Sequence, residues 1–277
     1  MHKHAISRNL ISSRYGEGCG RHDMMLTTQR KQLILERLRQ NGQLVAKALS
    51  EELGISEDTV RRDLRELASE GLLQRVHGGA LPASAATGTL QVREQLAPEE
   101  KRALGRAGAA LVQPGQVVIL DGGTTSLQVV KHLPLQLRAT VVTHSPAVAV
   151  ALAEHTGIEV LVLGGRLFRH SMVNVGASVV EAAALLRADL YLMGVTGVHA
   201  EAGVTTGDFE EAAVKRALHR RAAETVVLAS SDKLGAASAF AIAALSELAG
   251  LVVPPGTPQT LRNKLGATGV RVDIATP

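Results

Sequence analysis

Two groups of residues in this 277-residue sequence have the types and spacing to do chemistry. The first is a run of arginines. In residues 56–80, SEDTVRRDLRELASEGLLQRVHGGA, the side chains of Arg61, Arg62 and Arg65 share one side of a helix with Asp58 and Ser69, at about 100° per residue. Val60, Leu64 and Leu67 form an apolar stripe on the opposite side. A helix held down by such a stripe turns its guanidiniums outward, where Arg can pair bidentately with guanine in the major groove and also reach phosphates. The second group is a set of small polar residues at three strand ends. These are Asp121-Gly122-Gly123-Thr124-Thr125-Ser126, Thr143-His144-Ser145 and Gly164-Gly165-Arg166. Glycines let a backbone approach closely, a helix N-terminus offers unpaired N–H groups, and hydroxyls add donors, which together make a phosphate cradle. It is not a Walker A loop, because no Gly-Lys-Ser/Thr follows, and there is no G-x-G-x-x-G. Glu211 and Lys215, one turn apart on a helix face, and Lys233 beyond a later strand complete the candidate ligand set.

The elements that position the arginines are legible. Ser56 is a good N-cap, Glu57 and Asp58 suit the first turn, and Gly71 stands where a left-handed C-cap is expected. Residues 72–76 read as a strand, and His77-Gly78-Gly79 as a reversal into another. Upstream, the pattern predicts a helix over 29–40 with Leu33, Ile34 and Leu38 inward. A second is expected over 45–53 with Val45, Ala48, Leu49 and Leu53 inward, then a short turn at Gly54-Ile55. Three short helices and a hairpin make a winged helix-turn-helix. Its expected DNA-facing set is Ser56, Asp58, Thr59, Arg61, Arg62 and Arg65, with Arg75 and His77 on the wing.

From residue 99 onward helix and strand alternate. Helices are expected at 99–111, 126–133, 146–154, 177–186 and 209–221, and strands at 117–120, 140–143, 158–163, 190–193 and 225–229. Continuous apolar strands between helices mean a buried, mostly parallel sheet in an α/β domain. Ligands in such sheets bind beyond the carboxyl ends of the strands, where all three Gly- or hydroxyl-rich segments lie.

The run GISEDTVRRDLRELASEGLLQRVHGGA resembles the signature of the DeoR-type (GlpR-type) bacterial transcriptional repressors, in both its RRDL core and its terminal RVHGGA. The resemblance spans residues 25–275 or so and implies a sensor domain related in fold to ribose-5-phosphate isomerase and CoA-transferase-like domains. Such a domain recognises a phosphorylated sugar. The sequence is similar to that pattern at Asp121, Gly123, Thr124, Thr125, Thr143, Ser145, Gly164, Gly165, Glu211, Lys215 and Lys233. It departs at His144, where the family usually has Asn, and at Ser230, where Asp is common.

Composition bounds these readings. An apolar fraction of 45% supports a substantial core, while 2% aromatics and no Trp argue against stacking single-stranded bases on aromatic platforms. Net charge is +4, and residues 1–80 carry 13 Lys+Arg against 10 Asp+Glu. The surplus is modest, so DNA affinity must come from where the charges point. Cys19 is the only cysteine, which leaves no intrachain disulfide or Cys-based zinc site and fits a reducing cytoplasm. The apolar run 236–253 is interrupted by Ser238, Ser246 and Glu247 and falls short of a membrane span. Residues 1–24 lack periodicity and a signal-peptide apolar region, so a disordered tail is expected, with Met24 or Met25 as alternative starts. His2, His4 and His22 are too scattered to imply a metal.

The expected organisation is therefore a tail at 1–24, a winged helix-turn-helix at 25–80, a linker at 81–98 and an α/β effector domain at 99–277. The function expected is a cytoplasmic DNA-binding repressor of a carbohydrate operon. Its partners are double-stranded operator DNA, a small phosphorylated sugar and a second copy or more of itself, as dimer or tetramer, with no membrane contact. A phosphate at the 121–126 loop would draw Lys215 and Lys233 inward; no catalytic residue, metal or cofactor beyond that effector is expected. The alternative is a sugar-phosphate isomerase carrying a DNA-binding module, with Lys215, Glu211 and Asp121 as acid–base groups. An isomerase has no use for three arginines on an exposed helix.

Replacing Arg61 or Arg65 with Ala should weaken operator binding in a gel shift while leaving the circular-dichroism spectrum unchanged. Log affinity should fall with log salt by about 0.9 per phosphate neutralised. Intact affinity in either variant, or a flat salt titration, would contradict the assignment.

Overall fold

The computed structural model describes residues 26–41, 43–83 and 90–276. The expected tail at 1–24 lies outside the described residues, as do residues 84–89 of the expected linker.

The N-terminal domain runs α1 (Thr27–Asn41), β1 (Leu44–Val45), α2 (Ala46–Leu53), α3 (Glu57–Ser69), β2 (Leu73–Val76) and β3 (Gly79–Pro82). Ser56 caps α3 by accepting the Thr59 N–H at 3.1 Å. Gly71, at φ +73°, turns the chain so that the Leu72 N–H returns to the Leu67 carbonyl at 3.0 Å. Ile34, Leu38, Leu49, Val60, Leu64, Leu67 and Leu73 form a single core, while Leu33 and Leu53 are half-buried. Two inward expectations are corrected: Val45 and Ala48 are exposed. Residues 44–45 are extended rather than helical and pair with β3 to complete a three-stranded sheet, β1-β3-β2. The helix therefore starts at Ala46 and turns Ala46, Leu49 and Ser50 inward. Gly79 makes that pairing possible, since a Cβ there would lie 1.8 Å from the Leu44 carbonyl oxygen.

Asp63 falls on the apolar side of α3 and is fully buried. It is tolerated there because Arg30 of α1 grips both its oxygens, Nε to Oδ2 at 2.5 Å and Nη2 to Oδ1 at 3.1 Å. The pair fixes the rotation of α3 on α1, and with it the outward direction of Arg61, Arg62 and Arg65.

The expected linker is partly structured, containing the end of β3 and α4 (Leu90–Glu94). Next come α5 (Pro98–Leu111), β4 (Val117–Leu120), α6 (Thr124–His132), β5 (Ala139–Thr143), α7 (Pro146–Ala151) and β6 (Ile158–Val162). A β7 (Arg166–Phe168) and β8 (Val173–Val175) hairpin leads to α8 (Ala177–Ala184) and β9 (Ala188–Met193). Then follow β10 (Gly197–His199), β11 (Gly203–Thr206), α9 (Phe209–His219), β12 (Ala222–Leu228) and β13 (Phe240–Ala243). The chain closes with β14 (Gly250–Val253), α10 (Gln259–Gly266) and β15 (Val272–Ile274). Seven strands form one sheet in the order β15-β14-β12-β9-β4-β5-β6, every neighbouring pair parallel. Its two faces carry separate apolar cores. A small antiparallel sheet, β10-β11-β13, stands beside it.

That strand order fixes where a ligand can sit. From β4 the chain winds one way through β5 and β6, and later the other way through β9, β12, β14 and β15. The switch point lies between β4 and β9, where a crevice opens beyond the strand ends.

Replacing Asp63 with Ala should cost the N-terminal domain about 3–5 kcal/mol, because it removes the carboxylate that both guanidinium nitrogens grip in the core. Urea unfolding of the variant checks this, and a loss below about 1 kcal/mol would contradict a structural role for the pair.

Candidate functional site

On the DNA-binding candidate face, Ser56, Asp58, Arg61, Arg62, Arg65, Arg75 and His77 are exposed and Thr59 is half-buried. Arg61 bonds Glu57 at 2.8 Å along the helix, an exposed pair of small energetic weight. Arg61 and Arg75 line one groove with Gly78 and Gly79, so the helix and wing cations stand side by side. Ser56 and Thr59 are committed to the helix cap, their hydroxyls 2.8 Å apart.

At the switch point, Asp121 follows β4 and is fully buried. Its Oδ1 accepts the Gly122 N–H at 2.7 Å and stands 2.8 Å from His144 Nε2. Its Oδ2 accepts from Tyr191 Oη at 2.8 Å, the Gly194 N–H at 3.0 Å and Lys215 Nζ at 2.5 Å. Burial alone would raise this carboxyl, but Lys215 and His144 outweigh it and hold the group far below the usual carboxylate range. Burial likewise opposes the charge on Lys215, and Asp121 and Glu211 reverse that, raising it. The same burial, reinforced by Asp121, raises Tyr191 well above its ordinary value. Lys215 also donates to the Gly194 carbonyl at 2.9 Å and lies 3.5 Å from Glu211, whose other oxygen accepts from Thr206 at 2.7 Å. Asp121 is thus saturated by its own chain and has no lone pair directed at a ligand. The proton shuttle that an isomerase would ask of it is committed to this network.

A pocket opens in front of the network, lined by Gly122, Gly123, Thr124, Thr125, Gly194, Thr196, Glu211, Lys215 and Lys233. Gly123, at φ +107°, precedes α6 as an N-cap without a side chain, so no side-chain acceptor caps the first N–H groups of a helix whose Thr124 and Thr125 line the pocket. Thr125 Oγ1 is buried there without a hydrogen-bond partner. Burial pushes Lys233 down to about 8, with Asp232 opposing and Lys101, Arg93 and Lys215 reinforcing the shift. Arg93 from α4 and Lys101 from α5 also line the pocket, and burial lowers both. Among the described residues, Arg93, Lys101 and Lys233 form no ion pair with a carboxylate. A desolvated cluster of cations beside an uncapped helix start is a seat for an anion.

The structure brings together Asp121, Gly123, Thr124, Thr125, Glu211, Lys215 and Lys233, and leaves the other expected residues elsewhere. Thr143, His144 and Ser145 are fully buried beneath the pocket. Thr143 Oγ1 accepts the Ser145 N–H, Ser145 caps α7 and bonds the Met172 carbonyl, and His144 joins Asp121 to the Asn174 carbonyl. Gly164 and Gly165 lie outside the pocket, and a Cβ on Gly165 would strike Val179 at 2.6 Å. The expected trio of loops after β4, β5 and β6 is corrected for a topological reason. β4 has β9 as its other neighbour, so the pocket is made by the ends of β4, β9 and β12, with Gly194-Val195-Thr196 in place of the β5 and β6 loops. That loop, Arg93 and Lys101 were not expected. The first has two apolar neighbours and no hydroxyl cluster to mark it, and the cations sit in and just after the expected linker. Among the described residues no three His, Cys, Asp or Glu side chains could hold a metal, and no helix is long and apolar enough to cross a membrane.

Residues 30–85 match the DeoR-like helix-turn-helix domain and residues 96–254 the DeoR C terminal sensor domain. The chain is 34% identical over 251 residues to the HTH-type transcriptional regulator GlpR of Haloferax volcanii, covering 90% of this chain and 98% of that protein. It is 29% identical over 212 residues to the Glycerol-3-phosphate regulon repressor of Escherichia coli, covering 76% and 84%. Among solved structures, ribose 5-phosphate isomerase A of Methanocaldococcus jannaschii aligns with 49% of this chain and 54% of its own at 16% identity, with a TM-score of 0.37.

The lowered Lys233 gives a signed prediction. Between about pH 8 and its ordinary 10.5 the unfolded chain holds a proton that the folded chain has released, so stability rises with pH across that window. Lys233→Met should be more stable than the parent at neutral pH, by on the order of 3 kcal/mol, with the difference vanishing towards pH 10.5. Urea titrations at both pH values measure it, and a pH-independent difference would contradict the burial of that charge.

Proposed function

This chain belongs to the DeoR family of transcriptional regulators, and we propose that it represses a carbohydrate operon until a phosphorylated sugar fills the pocket in front of Asp121. The observation that carries this reading is a set of cations without carboxylate partners, the buried Lys101 and Lys233 and the half-buried Arg93. They converge on the unpaired Thr125 hydroxyl and the uncapped start of α6. A phosphoryl group has the charge and the acceptor oxygens to satisfy them together. Glycines 122, 123 and 194 give it room to approach the backbone. The Escherichia coli relative is named for a glycerol-3-phosphate regulon, which agrees with a small phosphorylated effector.

At the other end, α3 and the wing offer Arg61, Arg62, Arg65 and Arg75 to an operator. One such module covers one half-site, so two copies of the chain on a symmetric site are expected, and hence a homo-oligomer. The effector releases DNA only by binding one arrangement of that oligomer better than another. A bias of about 1–3 kcal/mol, or roughly 5–150-fold, is the usual scale.

The test is a gel shift with pentose and hexose phosphates, paired with calorimetry from pH 6.5 to 9.5. A sugar phosphate should release the operator where the unphosphorylated sugar does not. Its affinity should hold level below about pH 8 and fall above it, since an occupied pocket needs Lys233 charged while the ligand's second ionisation, near pH 6, is complete. Failure of every sugar phosphate to release DNA, or an affinity that climbs above pH 8, would overturn the proposal.

A further inference from the structure

The cation nearest the DNA-binding domain in sequence is Arg93, on α4, the first described element after Ala83. Its Nη2 donates to the His170 carbonyl at 2.8 Å, while its Nε is buried without a hydrogen-bond partner. Lys101 of α5 donates its Nζ to the Arg93 carbonyl, so the end of α4 is tied to the same cation cluster. Glu211 and Asp232 face this cluster, but Glu211 is paired with Lys215 and Thr206, and Asp232 accepts the Ser230 hydroxyl. Three cations therefore crowd one wall of the pocket, and their mutual repulsion works against the docking of α4. A guanidinium with one edge anchored and another donor unsatisfied is suited to take an oxyanion through that donor.

We propose that Arg93 is a ligand of the effector's phosphoryl group, so that filling the pocket fastens α4, the first described element after the DNA-binding domain, onto the sensor domain. The inference rests on the phosphate-sensing reading above and adds the element whose docking would report occupancy to the DNA-binding domain. An incoming dianion replaces cation–cation repulsion with attraction at Arg93, Lys101 and Lys233 at once. The gain appears as tighter docking of α4. β3, the described element before α4, already touches the sensor domain, its Pro82 carbonyl accepting the Ala237 N–H at 3.3 Å. Lys101 acts as a positioning residue as well as a charge, because it holds the Arg93 backbone.

The experiment uses the full chain, with inorganic phosphate and a panel of sugar phosphates as probes. Calorimetry gives affinity, and hydrogen exchange of the peptide covering residues 90–97 reports the docking of α4. In the parent protein, saturating ligand should slow exchange in that peptide. Arg93→Gln should lose about tenfold or more in affinity, the scale of a lost charged hydrogen bond, and the slowing should disappear. Arg93→Lys keeps the charge without the fork and should fall between the two. Unchanged affinity in Arg93→Gln, or unchanged exchange at 90–97 in the saturated parent, would overturn the role of Arg93 while leaving phosphate sensing intact. A parent protein that binds none of the probes removes the sensing reading itself, and this inference with it.

Discussion

One carboxylate without access to water, Asp121, holds the sensor domain together at its switch point. Burying such a charge costs several kcal/mol unless partners surround it, and here five donors do so. They come from the loop after β4, the end of β5, strand β9 and the loop beyond it, and α9. The ends of three neighbouring strands and a helix on the sheet's face are thereby tied to a single group. The arrangement also decides the chemistry in front of it. With Lys215 consumed by Asp121 and Glu211, the pocket's remaining positive charge belongs to Arg93, Lys101 and Lys233, which have no such partner.

The N-terminal domain uses the same device at a smaller scale. Arg30 and Asp63 form a buried bidentate pair on the apolar side of α3, between Val60, Leu64 and Leu67. A greasy stripe alone would allow the helix to roll by some tens of degrees, whereas a two-point ion pair does not. The rotation it sets leaves Arg61, Arg62 and Arg65 in solvent on the opposite side, beside Arg75 of the wing. In both domains a buried acid ties together the elements that surround the functional face.

How much of this could be read from residues alone varies with the range of the interactions. The strand over Val117–Leu120 is where its apolar run places it, and Ser56 and Gly71 punctuate α3 as their chemistry dictates, because these signals are local. The Asp63 pair was also within reach, since a carboxylate at the position before Leu64 lies on the apolar stripe and demands a cation. The small β10-β11-β13 sheet was not, for its strands are three or four residues long and pair across an intervening helix and strand. The run 236–253 likewise resolves into β13, a 3-10 turn and β14, a division that hydropathy does not mark. The expected site departs from the structure at its strand-end loops, and instructively. Hydroxyl-rich ends at β5 and β6 look like ligand loops in sequence, but strand order, a non-local property, puts β9 and β12 beside β4 instead. Thr143, His144 and Ser145 became the buried floor beneath Asp121.

Sensing and DNA binding then each depend on a buried, fully partnered carboxylate that the ligand never touches. A crystal structure with a sugar phosphate bound tests this most directly. The phosphoryl oxygens should lie within hydrogen-bond distance of Thr125 Oγ1, the first N–H groups of α6 and Lys233 Nζ, with Asp121 still bonded to Lys215 and Tyr191. A phosphate seated elsewhere, or Asp121 swung out to contact the sugar, would contradict it.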